Sequence, residues 1–533
     1  MTSDSQQLIQ QAIKLQKAGK LDQATGLYLQ VLQRDPDNFD ALNLSGAAAL
    51  QTGDVVTAID LINQALTRGR LPNEKLAQHK RLGDAYNNLA VALQKQRRFD
   101  DALVALRKAL EYRGNDADML ANVGLLLKEL GQYEESEAML RRSIALNPRH
   151  VRALIALGLI QYITSRGTEA ADTVSQALRA DPGSPAGHTL QGNLLVARGQ
   201  FDAALRSFET ALSHDATFPD AFYNRGLLYL NLGRFGQAWH DIYHYHPTRR
   251  GVSTVHQPPL PARLDGKRVF VNRNQGIGDE LFYLRFLPAL KARGAYIAYR
   301  TEDRMLGFMQ RLGLFDELIP YDVKKFNADH IVLLDHLPFL LQMGDDDVPP
   351  SLKLMAQPDS LRRMALRLQK AGPGPYLGVT WRAGRMRSEV DFRKESTEIL
   401  FKEIAPEQLG AALAHWPGTV LILQRNPIAD EVARFQQALG RTAVDCSDIN
   451  NDLEDMLALL SLMERYVTVS NTNLHMRATV GLPSHVLVPH PPEWRWGVGP
   501  GRSAWFPENP VYRQNSSGDW QPALAQLSSE LLR

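Results

Sequence analysis

The sequence is poor in cysteine, in charge of one sign and in long apolar runs. Cys446 is its single cysteine, which excludes an internal disulfide framework and a cysteine-rich metal site and favours a reducing compartment. The 60 basic and 58 acidic side chains leave a formal charge of +2, so neither nucleic acid nor an anionic membrane is expected as a partner. No run approaches the ~20 apolar residues of a bilayer span, and the start lacks a secretory pattern. We expect a cytoplasmic protein without a transmembrane segment.

A repeat organises the first half of the 533-residue chain, which is too long for one ordinary core. Gly124, Gly158, Gly192 and Gly226 follow one another at one constant spacing. Each lies in an amphipathic stretch that is followed by a short turn and a second helical stretch. A small residue suits the point where two helices cross closely. This pattern resembles the tetratricopeptide repeat family, whose units are helix pairs of about 34 residues.

Seven such units fit residues 1–246, which predicts an all-α repeat solenoid with a concave surface. The segment TRGRLPNEKLAQHKRLGD interrupts the register with extra residues, so we expect a longer second helix or a loop there. Asn88, Asn122 and Asn224 recur at one position of their units. An amide side chain donates and accepts, so these residues are candidate acceptor-binding groups for an extended peptide. Similar asparagine ladders occur in O-GlcNAc transferases, and plain scaffolding is the alternative interpretation.

The second half has a different pattern. Residues 247–264 are rich in proline and turn formers and are predicted to be a linker. Short apolar runs then alternate with helical stretches in two groups, 265–370 and 371–533. Strands separated by helices imply parallel sheets. We therefore predict a multidomain chain, in which the repeat solenoid is followed by an α/β region of two Rossmann-like lobes with a cleft between them.

One candidate binding turn lies in the first lobe, within FVNRNQGIGDELF. A predicted strand ends at Asn272, Gly276 and Gly278 form the turn, and a helix opens at Asp279 and Glu280. Glycine lets a backbone approach a ligand, and acidic side chains suit the first turn of a helix. An ordinary strand-to-helix turn without a ligand is the alternative.

A second candidate lies in RYVTVSNTNLHMRA. The strand runs into Ser470, Asn471, Thr472 and Asn473, and His475 follows on the next helix. Hydroxyl, amide and imidazole groups at a helix start suit a diphosphate. Helix capping by Ser470 or Asn471 is the alternative, and it is compatible with binding.

At these two segments the sequence resembles the ADP-heptose:lipopolysaccharide heptosyltransferase family, a branch of the GT-B glycosyltransferases. That family has a Gly-x-Gly-Asp turn after its first strand and an Asp-Thr-Gly-x-x-His element in its second lobe. The resemblance implies that Asp279 or Glu280 is the catalytic base and that Thr472 and its neighbours hold the donor diphosphate. The sequence departs from the family at Asn471, where the family has Asp, and at Asn473, where it has Gly.

The resemblance extends to residues that follow two other predicted strands. It implies that Thr380, Arg382 and Arg385 contact phosphate and that Gln424 contacts the nucleotide. Such enzymes generally need no metal, because basic side chains and a helix dipole stabilise the leaving diphosphate. The sequence also has no His, Asp and Glu cluster that demands a metal.

A segment dense in tryptophan, proline and glycine covers residues 486–510. Trp494 or Trp496 could stack on a sugar or a base. Packing is the commoner use of tryptophan, and it is the interpretation that we favour.

Taken together, these features predict a metal-independent glycosyltransferase. It would move a sugar from a nucleotide-diphosphate sugar to an acceptor, a protein or peptide held by the repeats. One alternative is a non-catalytic interaction scaffold with a degenerate transferase domain. This alternative stays open because Asn471 stands where the resembled family has an aspartate. Another is a transferase that acts on lipopolysaccharide or another glycan. The sequence leaves the sugar, the nucleotide and the oligomeric state open.

Overall fold

The structure is a computed structural model that describes residues 3–69, 75–249, 257–273, 276–320, 323, 327–383 and 402–532. The contacts within the structure divide the described residues into two compact units, with the boundary after Leu194. We call residues up to Leu194 the first unit and the residues from Leu195 onward the second unit.

Fourteen helices form seven consecutive pairs in the described residues before the sheets. They are α1 (Ser3–Lys17), α2 (Leu21–Arg34), α3 (Phe39–Thr52), α4 (Val55–Arg68), α5 (Lys75–Lys95), α6 (Phe99–Arg113), α7 (Ala117–Glu129), α8 (Tyr133–Leu146), α9 (Val151–Ile163), α10 (Gly167–Ala180), α11 (Pro185–Ala197), α12 (Phe201–His214), α13 (Pro219–Asn231) and α14 (Phe235–Arg249). The predicted seven helix pairs are confirmed.

Close helix crossings explain the glycine period. A Cβ atom at Gly124 of α7 would lie 2.7 Å from Cγ of Leu140 on α8. The same contact recurs in other pairs, where Gly46 faces Ile62 at 2.6 Å and Gly226 faces Ile242 at 3.0 Å. Cβ atoms essentially never approach side chains as closely as those at Gly124 and Gly46 would, and the contact at Gly226 would be tight, so glycine lets these paired helices pack closely.

The break in the repeat register falls in the third helix pair. Helix α4 keeps an ordinary length of 14 residues, whereas α5 has 21. The described extra residues therefore lengthen the first helix of the following pair, and a longer second helix is the wrong prediction.

The last repeat helices belong to the core of the second unit. Trp239 of α14 is 2 % exposed, and its ring centroid lies 6.1 Å from that of Trp494 and 6.0 Å from that of Trp505. Tyr243 stacks on Phe339 with centroids 4.0 Å apart. Aromatic contacts of this kind contribute beyond simple burial, so these helices are fixed to the α/β region.

Two parallel sheets follow in the second unit. The first has the order β3-β2-β1-β4 and is built from β1 (Arg268–Asn272), β2 (Tyr296–Thr301), β3 (Glu317–Pro320) and β4 (His330–Leu333). The second has the order β10-β9-β8-β5-β6-β7 and is built from β5 (Tyr376–Thr380), β6 (Thr419–Ile422), β7 (Val444–Asp445), β8 (Arg465–Val469), β9 (His485–Val488) and β10 (Val511–Arg513). The prediction of parallel sheets is confirmed.

Helices connect and cover the strands. They are α15 (Ile277–Tyr283), α16 (Leu287–Ala292), α17 (Leu306–Leu312), α18 (Leu337–Leu340), α19 (Pro358–Ala371), α20 (Pro406–Ala412), α21 (Ala429–Leu439), α22 (Leu453–Leu462), α23 (Thr472–Thr479) and α24 (Gln521–Leu531). No helix among the described residues combines the length and apolar character that crossing a bilayer requires.

The strand order determines where ligands bind. The two sheets share one strand order. If the strands of each sheet are numbered from 1 along the chain, the first sheet has the order 3-2-1-4, and the second, read from β7 to β10, has the order 3-2-1-4-5-6. In such sheets ligands bind beyond the carboxyl ends of the strands where the order reverses. These positions follow β1 and β4 in the first sheet, and β5 and β8 in the second.

The described part of the predicted linker is packed into the second unit. Leu260 and Leu264 are both buried. The backbone N–H of Leu260 donates to the carbonyl of Leu340 at 2.8 Å, and that of Leu264 donates to the carbonyl of Arg293 at 2.6 Å. Residues 257–264 are therefore held in place by apolar burial and backbone hydrogen bonds.

We predict that Gly124→Val costs about 1–3 kcal/mol of unfolding free energy, because its side chain overlaps Leu140. Gly26→Val is the matched control, since a Cβ there meets nothing within 4 Å, and its effect should stay within about 0.5 kcal/mol. Thermal unfolding of both variants measures the difference. Equal melting temperatures would contradict this account of the glycine period.

Candidate functional site

Two strand-to-helix turns meet at the site. Helix α15 follows β1, and α23 follows β8. A Cβ atom at Gly278 would lie 3.3 Å from Oγ1 of Thr472 and 3.4 Å from Cδ2 of His475, whereas one at Gly276 would meet nothing within 4 Å. The turns that follow these two order-reversal strands therefore contact each other, and we call the surface beside this contact the candidate cleft.

A chain of charged and polar side chains joins these two turns. Asp279, whose side chain is 44 % exposed, is ion-paired with Arg495, which is 5 % exposed. Arg495 also pairs with the buried Glu493. Glu493 accepts a hydrogen bond from Oγ of Ser470 at 2.6 Å, and Nζ of Lys402 lies 3.9 Å from its carboxylate. We call these five residues the charged chain.

Burial and charge fix the protonation states in the charged chain. Burial alone would raise the pKa of Glu493, but Arg495, Lys402 and Ser470 outweigh it and lower the pKa to about 2. Burial likewise opposes the charge of Arg495, while Glu493 and Asp279 raise its pKa above the ordinary value. Glu493 and Arg495 therefore both remain charged throughout the physiological range.

Aromatic rings cover the buried guanidinium. The centre of the Arg495 guanidinium lies 4.3 Å from the ring centroid of Trp494 and 4.6 Å from that of Phe282. Such cation–π contacts favour a cation that has lost its water. Trp494 is half-buried and Trp496 is buried. Both side chains thus pack against the protein, which is the role that we favoured for them.

Glu280 differs from Asp279 although the two are neighbours on α15. Its side chain is fully buried, accepts a hydrogen bond from the Tyr299 hydroxyl at 2.6 Å and pairs with Nε of Arg273 at 2.7 Å. Burial raises the pKa of Glu280 in spite of these partners. Successive helix positions point about 100° apart, so one carboxylate reaches the cleft while the other is buried. Asp279 is therefore the accessible one of the two carboxylates, and the assignment of the base to either of them stays a prediction.

The predicted nucleotide contacts after β5 and β6 are engaged within the second sheet. Thr380 shares a hydrogen bond of 2.9 Å with the Tyr466 hydroxyl. The Gln424 side-chain oxygen accepts from the backbone N–H of Arg382 at 3.0 Å, and Nε of Arg382 donates to Glu431 at 2.7 Å. All of these predicted contact residues are buried. They tie neighbouring loops together, and their role in binding the donor stays a prediction. Arg385 lies outside the described residues.

Asn471 is the cap of α23. Its side-chain oxygen accepts from the backbone N–H of Leu474 at 3.0 Å, and its amide donates to Oγ1 of Thr468 at 2.8 Å. Asn473 donates to the Asn450 side chain at 3.2 Å. The capping alternative is thus confirmed for Asn471. Both amides are occupied by the protein itself.

Thr472 and His475 lie on α23 opposite the first turn. Thr472 is half-buried, and its hydroxyl faces the Gly278 position. Burial, together with the positive charge of Arg495, lowers the pKa of His475 well below its usual range. His475 is therefore neutral, and its ring packs against Phe506 with centroids 5.4 Å apart. Thr472 is the predicted donor residue whose hydroxyl lies at the cleft.

The asparagines of the repeats are not equivalent. Asn88 donates to the side-chain oxygen of Asn43 at 3.1 Å, and Asn122 donates to that of Asn87 at 2.9 Å. Asn224 donates instead to a carbonyl of its own helix at 2.8 Å. The amides of Asn88 and Asn122 therefore link first helices of successive pairs.

Sequence reasoning missed Lys402, Glu493 and Arg495. Arg495 and Glu493 lie in the short sequence EWRW, in which two opposite charges stand among tryptophans. That pattern hinted at a buried ion pair. Their pairing with Asp279 and Ser470 joins segments that are distant in the chain, which no local pattern reveals. Among the described residues, no three His, Cys, Asp or Glu side chains gather as metal ligands.

Comparison with known families identifies the helical part. Tetratricopeptide repeat models match residues 9–73, 81–148, 122–185 and 192–233. The N-terminal part of the chain is thus a scaffold of tetratricopeptide repeats.

Relatives of the chain include proteins of several kinds. Protein FlbA of Caulobacter vibrioides is 23% identical over 98% of this chain and 88% of its own length. A probable UDP-N-acetylglucosamine–peptide N-acetylglucosaminyltransferase, SPINDLY of Hordeum vulgare, is 24% identical over 27% of this chain and 16% of its own. The protein O-mannosyl-transferase TMTC3 of Mus musculus is 27% identical over 30% of this chain and 19% of its own.

Solved structures give partial matches. A tetratricopeptide repeat protein of Parabacteroides merdae covers 44% of this chain and 90% of its own, with 16% identity and a TM-score of 0.37. PilF of Pseudomonas aeruginosa matches 38% of this chain over 88% of its own length, with 22% identity and a TM-score of 0.32. The repeat assignment rests on the family matches.

We predict that Glu493→Gln destabilises the protein by about 3–5 kcal/mol, because it removes one partner of a buried ion pair. The pKa of Glu493 in the folded protein, about 2, lies below its ordinary value of 4.5. Its contribution to stability is therefore present above pH 4.5 and is lost as the pH falls through 2. Melting temperatures measured from pH 7 downward should fall less steeply in the variant. The exposed Glu508→Gln is the control, and a variant with the wild-type pH slope would contradict the assignment.

Proposed function

We propose that this chain is a glycosyltransferase that moves a sugar from a nucleotide-diphosphate sugar to a protein or peptide bound by its repeats. The proposal includes a GT-B-like arrangement of the two sheets, with the donor on the second sheet and the acceptor on the first. One observation carries it: the close approach of the Gly278 and Thr472 turns, with the half-exposed Asp279 carboxylate beside them.

The facing of the two turns supports a two-substrate reaction. Each turn lies at the position where a doubly wound sheet binds its ligand. Two such positions that face each other hold two molecules close together, and this proximity is a large part of the catalysis of group transfer.

The chemistry follows from the side chains at the cleft. Asp279 accepts the proton of the acceptor hydroxyl. The oxygen of that hydroxyl forms the bond to the anomeric carbon of the sugar at the same time. The bond between that carbon and the donor phosphate breaks, and the nucleoside diphosphate leaves with the electron pair. The Lys402 ammonium and the Thr472 hydroxyl stabilise the charge of the departing phosphate. Arg495 orients Asp279 by its ion pair.

A protein acceptor is supported by the repeats and by the relatives. Tetratricopeptide helix pairs offer an extended concave surface for polypeptides, and Asn88 and Asn122 remain the proposed contacts to an acceptor backbone. The names of two partial relatives, SPINDLY and TMTC3, describe transferases that act on a peptide and on protein.

A non-catalytic scaffold is the second candidate function. The observation that favours it is Asn471, whose side chain is occupied by capping and by Thr468 where the resembled family has an aspartate. The family matches also cover the repeats alone. A scaffold would bind partners through the repeats and would show no response to nucleotide sugars.

Donor binding is the first test. We expect one nucleotide sugar in a panel of uridine, guanosine, adenosine and cytidine sugars to raise the melting temperature, since a ligand at 100 times its Kd adds about 2.7 kcal/mol. Thr472→Val and Lys402→Met should each weaken this response, because each removes a proposed phosphate contact. The exposed Lys353→Met controls for the loss of a positive charge. No response to any donor would favour the scaffold.

The base is tested separately with the identified donor. Asp279→Asn should lower transfer or donor hydrolysis by about 10²–10⁴-fold while donor binding persists, since a general base contributes that much to rate. Asp303→Asn, an exposed carboxylate of the same lobe, should leave the rate unchanged. If Asp279→Asn retained the full rate, Asp279 would not be the base.

A further inference from the structure

Two histidines lie one helical turn apart on α14, the last repeat helix. His240 and His244 are four residues apart, so both side chains project from the same face of the helix. Their Nε2 atoms are 3.1 Å apart, and the two ring centroids are 4.3 Å apart. The side chain of His240 is 55 % exposed, and the contact between the two rings lies at the surface. The pair can therefore be reached from solvent.

The distance between the two nitrogens suits two neighbouring ligands of one metal ion. Bonds from zinc to imidazole nitrogen measure about 2.0–2.1 Å, so nitrogens 3.1 Å apart subtend an angle of about 95–100° at the metal. This angle lies between the values of about 90° for octahedral and about 109° for tetrahedral coordination. Helical zinc motifs likewise place two histidines at positions i and i+4. An ion can thus bind without a change in the helix backbone.

Asp241 determines which nitrogen of His240 carries the proton. Its Oδ1 lies 3.4 Å from Nδ1 of His240. A carboxylate only accepts, so Nδ1 carries the proton and Nε2 presents its lone pair. Asp241 is buried and is held by Arg225, whose Nε and Nη2 donate to it at 2.6 and 2.9 Å. Metal-binding histidines almost always donate their second ring N–H to a carboxylate, a carbonyl or a water, so His240 has the surroundings of a metal ligand.

A hydrogen bond between the two rings is the competing explanation for their distance. With the lone pair on Nε2 of His240, the Nε2–H of His244 can donate to it across the 3.1 Å. Metal binding requires that His244 carries its proton on Nδ1 instead. This change of tautomer leaves the number of protons on the pair unchanged. Both states use the same positions of the two rings, so experiment has to separate them.

We propose that His240 and His244 form a binding site for a divalent transition-metal ion, with Zn²⁺ as the expected ion and water completing its coordination. Imidazole suits zinc, copper and nickel, whereas magnesium and calcium take oxygen ligands. The carboxylate of Asp345 accepts from the backbone N–H of Gly236 at 2.8 Å, one turn before His240, and its charge favours a cation on this face. The site uses none of the side chains assigned to the transfer reaction, so it does not depend on the proposed function.

The site lies where the last repeat helix packs against the first lobe. The ring centroid of Phe339 on α18 is 6.1 Å from that of His240 and 6.3 Å from that of His244. The same phenylalanine stacks on Tyr243. An ion that links two successive turns of α14 binds the helical form and not the unfolded one, so it stabilises the helix that makes this contact. We therefore expect Zn²⁺ to raise the melting temperature.

Zinc titration of the untagged full chain tests the site. At about pH 7.5, where free imidazole is neutral, calorimetric titration with ZnCl₂ should show the binding of one ion that is weakened at least tenfold in His240→Ala and in His244→Ala. His415→Ala, which removes an exposed histidine elsewhere in the second unit, should keep the wild-type affinity. MgCl₂ should show no binding at this site, because Mg²⁺ prefers oxygen ligands.

His240→Gln separates metal binding from the hydrogen bond between the rings. Its side-chain amide can still accept from His244, so the metal-free melting temperature should stay at the wild-type value while the zinc affinity falls at least tenfold. Zinc should raise the melting temperature of the wild type and of His415→Ala, and not that of the other three variants. The proposal is overturned if the wild type binds Zn²⁺ with a Kd weaker than about 1 mM, or if any of those three variants binds it as tightly as the wild type.

Discussion

A guanidinium group that is 5 % exposed stays in a protein interior because other partners replace the water that it has lost. Arg495 has these partners in Glu493, Asp279, Trp494 and Phe282. Because Asp279 comes from the first lobe and Glu493 from the second, their pairing with one cation draws the two turns together. The contact between the two turns and the orientation of Asp279 both depend on this buried charge.

The repeats and the sheets could be predicted because their signals are local. A glycine that recurs at a constant spacing reports helix crossings such as that of Gly124 with Leu140, and alternating apolar runs report strands. The strand β10, Val511–Arg513, has only three residues and is too short to show such a pattern. The extra turns of α5 were not predicted, because a register shift locates an insertion without showing which helix takes it up.

The site was predicted only where the topology fixes it. Gly278 and Thr472 follow order-reversal strands, and the structure brings them together. Glu280, Arg382 and Gln424 have residue types suited to catalysis, but they are buried and bonded to the protein itself, because polar side chains at strand ends also serve to tie loops together. The roles of Glu493 and Arg495 could not be predicted, since their links to Ser470 and Asp279 depend on tertiary contacts that a single sequence does not contain.

The division of the chain after Leu194 has a consequence for how this protein can change over evolutionary time. Helix pairs before that point repeat one structural module, and in arrays of this kind recombination can add or delete a whole helix pair without exposing a foreign core. The last helices have Trp239 and Tyr243 inserted among the aromatic residues of the α/β region. They cannot be exchanged in the same way. The length of the module array is therefore free to drift in a lineage, while its final helices are inherited together with the α/β region as one piece.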